Sequence, residues 1–199
     1  MDSPSPQRKT NWIQLASFVL IALLTVETIL LIIQNRDLKA TLKALTGNPI
    51  EPLKPGEIIE PVRVQTLDGQ MTDLAFAQDA GKRQLLFIFS TTCPYCEKTL
   101  PVWSHMAGDA AGNGNVSVMG VSTTPLVETK KYIEERKPGF FIVTAAVDTS
   151  FSRKYKISGV PETILVRGNG TVIKVWIGEL QPDQVEEIQT LLSASRALK

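Results

Sequence analysis

Residues 12–33, from Trp12 to Ile33, form an apolar run with a single formal charge, Glu27. A helix that is apolar on every side has no place in the interior of a small domain, and this length crosses a hydrocarbon core of about 30 Å. A cleaved export signal has a shorter apolar region and a small-residue cleavage site. Here the run is long, and Gln34-Asn35-Arg36-Asp37 follows with no Ala-x-Ala. The reading is an uncleaved transmembrane signal anchor over residues 12–34, behind an N-terminal tail of residues 1–11. Glu27 inside the span costs about 2.5–3.5 kcal/mol on insertion scales. Either it hydrogen-bonds, protonated, to a partner helix, or the apolar segment absorbs the cost. Arg8 and Lys9 precede the span, while Arg36, Lys39 and Lys43 follow it. The positive-inside count therefore does not favour export of the C-terminal part, and the orientation rests on the redox chemistry below.

Leu38, Leu42 and Leu45 recur at helical spacing, so the helix continues beyond the anchor as a stalk or a short coiled-coil contact. Gly47 and Asn48 end it, and Pro49, Pro52 and Pro55 make residues 35–55 a helical stalk with a stiff Pro-rich linker. Residues 56–199 read as one globular domain. Pro61–Thr66 is a strand followed by a turn at Leu67-Asp68-Gly69-Gln70. Leu85–Ser90 is a wholly apolar strand, suited to a sheet covered on both faces. Residues 94–107 are helical and Val116–Ser122 is another apolar strand. Pro125 opens a helix to about Lys137 with Thr124 as N-cap. Phe140–Val147 is strand-like, and Phe151–Tyr155 is a short helical piece. Thr163–Arg167 and Thr171–Ile177 flank Gly168-Asn169-Gly170 as a hairpin. Pro182 opens the last helix, with Val185, Ile188, Leu191 and Leu192 on one face. This order predicts an α/β domain, a mixed central sheet flanked by helices.

The chain's two cysteines form one Cys-x-x-Cys, Cys93-Pro94-Tyr95-Cys96, after the buried-type strand and at the start of a helix. A disulfide across so short a loop constrains the unfolded chain less than the fifteen-residue loop worth about 3 kcal/mol, so a structural staple is a weak use of the pair. At the front of a helix, unpaired backbone N–H groups and the positive helix end favour an anion at Cys93, and the thiolate is the attacking form. Pro94 suits the first helical position. Cys96 lies one turn on, on the same face, placed to resolve a mixed disulfide. Structural zinc wants four ligands, and one pair plus the single histidine, His105, would need a second chain. No metal or other cofactor is expected. The net charge of +1, with 21 basic and 20 acidic residues, gives no basic stripe for nucleic acid.

Phe87-Ile88-Phe89-Ser90-Thr91-Thr92-Cys93-Pro94-Tyr95-Cys96, Pro101 and Gly159-Val160-Pro161-Glu162-Thr163 resemble the active-site segment, the helix-kinking proline and the cis-proline loop of membrane-anchored thioredoxin-like proteins. The nearest groups are the TlpA/ResA-like reductants and the MauD-like proteins, which serve oxidative maturation of exported proteins such as cytochromes c and other metalloenzymes. The resemblance covers residues 56 to about 195 and implies a thioredoxin-like fold behind the transmembrane helix. It implies that Pro161 is cis and that Val160 offers backbone pairing to an incoming peptide, with Pro94 and Tyr95 as further substrate contacts. The sequence departs from the family at Thr92, where thioredoxins usually carry Trp, and at Phe87, where they carry a buried Asp. It departs again at Thr99, where some ResA-like proteins carry Glu. Glu162 is the candidate proton acceptor, with Glu97 second; for each, an exposed surface acid is the plain alternative.

The expected protein is therefore a disulfide oxidoreductase with a disulfide-containing protein substrate and a membrane electron donor or oxidant as partners. Its expected place is the bacterial inner membrane, single-pass, with the domain in the periplasm or extracytoplasmic space. A Sco-like copper chaperone is the alternative, although such proteins use Cys-x-x-x-Cys and a distant His. A peroxiredoxin-like site wants Thr three residues before the Cys, and position 90 is Ser.

Overall fold

The structure is a computed structural model that describes residues 12–46, 50–76, 79 and 81–193. The tail with Arg8 and Lys9 and the helix end at Gly47-Asn48-Pro49 lie outside the described residues. The chain divides into two compact units between Pro49 and Ile50.

The described residues of the first unit form one unbroken helix, α1 (Trp12–Thr46), of 35 residues. Within it Gln14–Lys39 is long and apolar enough to cross a membrane, its most apolar 18-residue window having mean hydropathy 2.6 with none of it buried. Thr25 and Thr28 turn their hydroxyls back onto the carbonyls of Ala22 and Leu24, at 2.8 and 2.7 Å. That satisfies two polar groups inside the helix itself, as a lipid environment requires.

The second unit contains β1 (Val62–Thr66), β2 (Met71–Leu74), β3 (Arg83–Phe89), α2 (Pro94–Ala111), β4 (Val116–Ser122), α3 (Leu126–Arg136), β5 (Phe141–Thr144), α4 (Phe151–Lys154), β6 (Glu162–Arg167), β7 (Val172–Ile177) and α5 (Pro182–Ser193). The strands form one mixed sheet in the order β2-β1-β5-β4-β3-β6-β7. β3, β4 and β5 run parallel and are joined by the crossover helices α2 and α3; β1, β6 and β7 pair antiparallel. Gln84–Phe89 is buried along its whole length, because β4 and β6 flank it and both faces of the sheet are covered.

Alternation along β3 and β6 divides the core. Leu85, Phe87, Phe89 and Leu165 face Cys96, Leu100, Trp103 and Met106 of α2, with Tyr132 of α3 and Ile188 and Leu192 of α5. Leu86, Ile88, Ile164 and Val166 face Phe151 and Tyr155 at α4, together with Leu53, Ile59 and Phe76. Leu53 is thus core, although it sits inside the expected Pro-rich linker; Gly56 N–H donates to Val172 O at 2.8 Å and ties the linker's end to β7. In the β6–β7 turn Gly170 has φ +83, and a Cβ there would stand 2.7 Å from the Ile59 carbonyl oxygen.

Several boundaries differ from the sequence reading. β2 was not expected; three of its four residues are exposed, so it carries no alternation to read. α2 runs a turn past residue 107, because Ala110 is still buried and Gly112, not Gly108, caps the helix. β5 stops at Thr144, where the chain turns. Thr124 does not cap α3: Pro125 holds the cap position with no side-chain hydrogen bond, and the Thr124 hydroxyl is taken by Ser90 and Thr91.

Candidate active site

Cys93 ends the loop from β3 as the N-cap of α2, with φ −89 and ψ 114, and Pro94 follows at the first helical position. Its amide donates to Ser90 O at 3.2 Å. Its half-buried thiol donates to the Val160 carbonyl at 3.4 Å and accepts the Cys96 amide at 3.4 Å. The sulfur therefore stands at the front of α2, where the helix's first N–H groups point outward.

Cys96 is 1% exposed, packed among Phe87, Phe89 and Leu100. Burial pushes its thiol up to about 12; the neighbouring Cys93 adds to the shift and the Ser90 amide opposes it. Both cysteines are free, so the structure shows the dithiol form. The pair is unequal: one sulfur is open and amide-lined, the other dry and held protonated.

The Val160–Pro161 bond is cis, and the Val160 carbonyl is the group that meets Cys93. Tyr95 is 57% exposed beside it in sequence on α2, with Lys98 Nζ 5.4 Å from its ring centre. Pro94 is exposed as well. The structure thus brings Cys93, Cys96, Val160 and Pro161 together.

Glu162 is placed differently from its neighbours. It is fully buried, and neither carboxylate oxygen has a hydrogen-bond partner. Desolvation lifts its carboxyl to about 7, opposed by a Ser158 amide that does not reach hydrogen-bond geometry. It pairs across with Ile88, so its side chain lies on the sheet face opposite that of Phe87 and Cys96. The surface-acid alternative for Glu162 is thereby overturned. Glu97 is half-exposed and forms an ion pair with Arg136, linking α2 to α3.

At the positions where the family carries acids, Phe87 stacks on Trp103 with ring centres 4.8 Å apart, and Thr99 gives its hydroxyl to the Tyr95 carbonyl at 3.0 Å. Trp103 is buried and donates its indole N–H to Thr163 Oγ1 at 3.0 Å. His105 pairs with Asp109 at 3.1 Å on the exposed side of α2. It lies nine residues from Cys96, about 13 Å along the helix axis. Among the described residues no cluster of three or more His, Cys, Asp or Glu could hold a metal ion.

Sequence reasoning missed Tyr132. Its hydroxyl is buried without a partner, its ring lies 5.8 Å from that of Phe89, and desolvation, then the charges of Cys96 and Glu97, push its phenol up. The only sequence signal was an aromatic on the apolar side of an otherwise polar helix.

The division between an open thiol and a buried one, both at the first turn of a helix, is the equipment of a thiol–disulfide oxidoreductase. The chain belongs to the thioredoxin-like family, whose domain matches residues 71–191. It is 26% identical over 132 residues to the thiol-disulfide oxidoreductase ResA of Halalkalibacterium halodurans, covering 65% of this chain and 72% of that one. Among solved structures, one described as the thiol:disulfide interchange protein DsbE from Chlorobium tepidum superposes with a TM-score of 0.61 at 18% identity. It covers 72% of this chain and 98% of its own. StoA from Bacillus subtilis gives 0.54 at 21% identity, covering 66% and 98%. At these identities the two structures share the fold.

Proposed function

We propose that this chain is a membrane-tethered thiol–disulfide oxidoreductase that exchanges its Cys93/Cys96 dithiol with disulfides of exported proteins, in maturation of a cytochrome c or another metalloenzyme. The observation that carries the reading is the inequality of the two thiols. The similarity to ResA supports the exchange chemistry, and α1 supports the tether.

The Cys93 thiolate attacks a substrate disulfide, forming a mixed disulfide and releasing one substrate thiolate. Cys96 then loses its proton and attacks the Cys93 sulfur, and the second substrate sulfur leaves. Substrate gains two electrons, and the protein is left with a Cys93–Cys96 disulfide. A membrane electron donor returns the pair to the dithiol; run backwards, with a membrane oxidant, the same steps oxidise a substrate dithiol. Pro94, Tyr95 and the Val160 backbone hold the substrate strand against Cys93. Glu162 is the proposed acceptor of the Cys96 proton, through water around the Pro161 end of β6, since it lies on the other sheet face. Its support is burial, the absence of a hydrogen-bond partner and a carboxyl poised near 7. Tethering raises effective concentration toward membrane-bound partners. The domain is proposed to stand in the periplasm, with α1 in the inner membrane.

Insulin-disulfide reduction by the 199-residue chain in detergent micelles tests the chemistry. Cys93→Ser is expected to abolish it; full activity in that variant would remove Cys93 as the nucleophile. In intact spheroplasts a membrane-impermeant thiol reagent should label reduced Cys93, and protection from the reagent would reverse the orientation.

A further inference from the structure

Hydroxyl groups around the active-site loop form a directed chain, and its hub is Thr124. This residue lies in the link between β4 and α3, 33 residues beyond Thr91. Its Oγ1 is 3.1 Å from the Thr91 amide, 3.3 Å from Thr91 Oγ1 and 3.3 Å from Ser90 Oγ. A hydroxyl has one proton to give and two lone pairs to fill. The Thr91 amide and the Thr91 hydroxyl both donate to Thr124, filling its lone pairs. The Thr124 proton is then committed to Ser90 Oγ. Ser90 Oγ also accepts the Thr92 amide at 3.4 Å, so its own proton goes to Thr92 Oγ1 at 3.1 Å. The chain runs from Thr91 through Thr124 and Ser90 to Thr92, and it stops one residue short of Cys93.

The main chain of Thr124 is anchored by a separate set of groups. Its carbonyl accepts the hydroxyls of Thr144 at 2.6 Å and Thr129 at 3.0 Å, and its amide donates to Ser122 Oγ at 3.1 Å. Ser122, Thr129 and Thr144 are fully buried and come from β4, α3 and β5. The Thr124 hydroxyl therefore connects a buried, multiply held backbone to the loop that carries the dithiol. That loop is tied to the dithiol through the main chain: the Ser90 carbonyl accepts the Cys93 amide at 3.2 Å.

We propose that Thr124 is a positioning residue for disulfide exchange, its hydroxyl holding Ser90–Thr92 so that Cys93 meets the Val160 carbonyl and Cys96 stays beneath it. This rests on Cys93 as the attacking thiol. Thr124→Val tests the hydroxyl alone, because valine keeps the shape and leaves every main-chain anchor in place.

The measurement is kcat and KM for insulin-disulfide reduction by the full chain in detergent micelles, with circular dichroism to follow unfolding. Thr124→Val is expected to lower kcat roughly tenfold with KM unchanged, the cost of a misplaced reacting group. Thr124→Ser, which restores the hydroxyl, is expected to return kcat to within about twofold of the parent. A Thr124→Val protein with the parent kcat overturns the proposal, as does a Thr124→Ser protein as slow as the valine variant. Should Thr124→Val fail to fold, Ser90→Ala breaks the same chain one link on, with the same expected loss and the same overturning result. Cys93→Ser, assayed alongside, keeps the two readings apart. Activity left in it removes Cys93 as nucleophile, whereas an unaffected Thr124→Val removes only the positioning role.

Discussion

The two faces of the central sheet carry different buried titratable groups. On the face toward α2, the Trp103 indole is bonded to Thr163, Thr99 is bonded within its helix, Tyr132 keeps an unpartnered hydroxyl, and Cys96 belongs to the same apolar cluster as the Phe87–Trp103 stack. On the other face, Glu162 sits with Ile88 and Ile164 and has no hydrogen-bond partner for either oxygen. A buried carboxylate without a partner is costly, and so is a buried thiolate. The fold puts the two apart, one on each side of β3 and β6. The thiol stays protonated in a dry setting, and the acid titrates close to neutrality without sharing its face. The difference teaches that one sheet can bury a thiol and a carboxyl and still keep them on separate faces.

The strongest way to break this comparison is at the dry thiol. Cys96→Ser is expected to reduce turnover to background and to accumulate a mixed disulfide between Cys93 and substrate, visible on a non-reducing gel. If no adduct accumulates while turnover persists, resolution does not belong to Cys96. Next in size, Phe87→Ala opens a cavity beneath the dithiol and should cost about 3–5 kcal/mol in urea unfolding. A loss under about 1 kcal/mol would mean that the redox face is not a packed platform.

Glu162→Gln sharpens the other side. In the unfolded chain this carboxyl titrates near 4.5, and in the fold near 7. Protonation therefore favours the fold: its contribution is full below pH 4.5, fades between 4.5 and 7, and is lost above that. Relative to the glutamine variant, the parent should lose about 3 kcal/mol across this window. With Glu162 as the proposed acceptor, exchange by the parent should rise around pH 7, and the variant should lack that rise. Parallel stability curves for the two proteins would show that Glu162 is solvated. Smallest of all, Tyr132→Phe deletes an unpartnered buried hydroxyl and should stabilise the dithiol form by about 1 kcal/mol. A fall in turnover with it would show that the phenol serves the Cys96 thiolate.

What was legible in the sequence follows from how local each signal is. Leu85–Phe89 is apolar at every position, so its place inside a doubly covered sheet could be read directly, and the dithiol after it marked the start of α2. The Gly168–Gly170 turn and the Pro182 helix start are short-range chemistry of the same kind. β2 was illegible because an exposed edge strand has no burial pattern. Thr124 was misread because threonine before Pro125 satisfies the rule for a helix cap, and only the folded chain shows Ser90 and Thr91 competing for its hydroxyl. Glu162 was legible as a neighbour of Pro161 but not as a buried acid. Its burial depends on β6 lying between β3 and β7, which no local pattern encodes.

Cys93 and the Val160 carbonyl lie 67 residues apart in the chain. They meet because β6 lies against β3, over six cross-strand partners from Arg83 and Arg167 to Ile88 and Glu162. The contact between Cys93 and the Val160 carbonyl therefore lasts only as long as that pairing. Each time β6 and β7 lift away, Cys93 loses its carbonyl partner, and a small oxidant should close the pair without a substrate. Indiscriminate oxidation should then proceed at a rate set by the local opening of this hairpin, a quantity that hydrogen exchange at Ile164–Val166 would report. The stability of one strand pairing then becomes the measure of how well this dithiol resists oxidants other than its exchange partner.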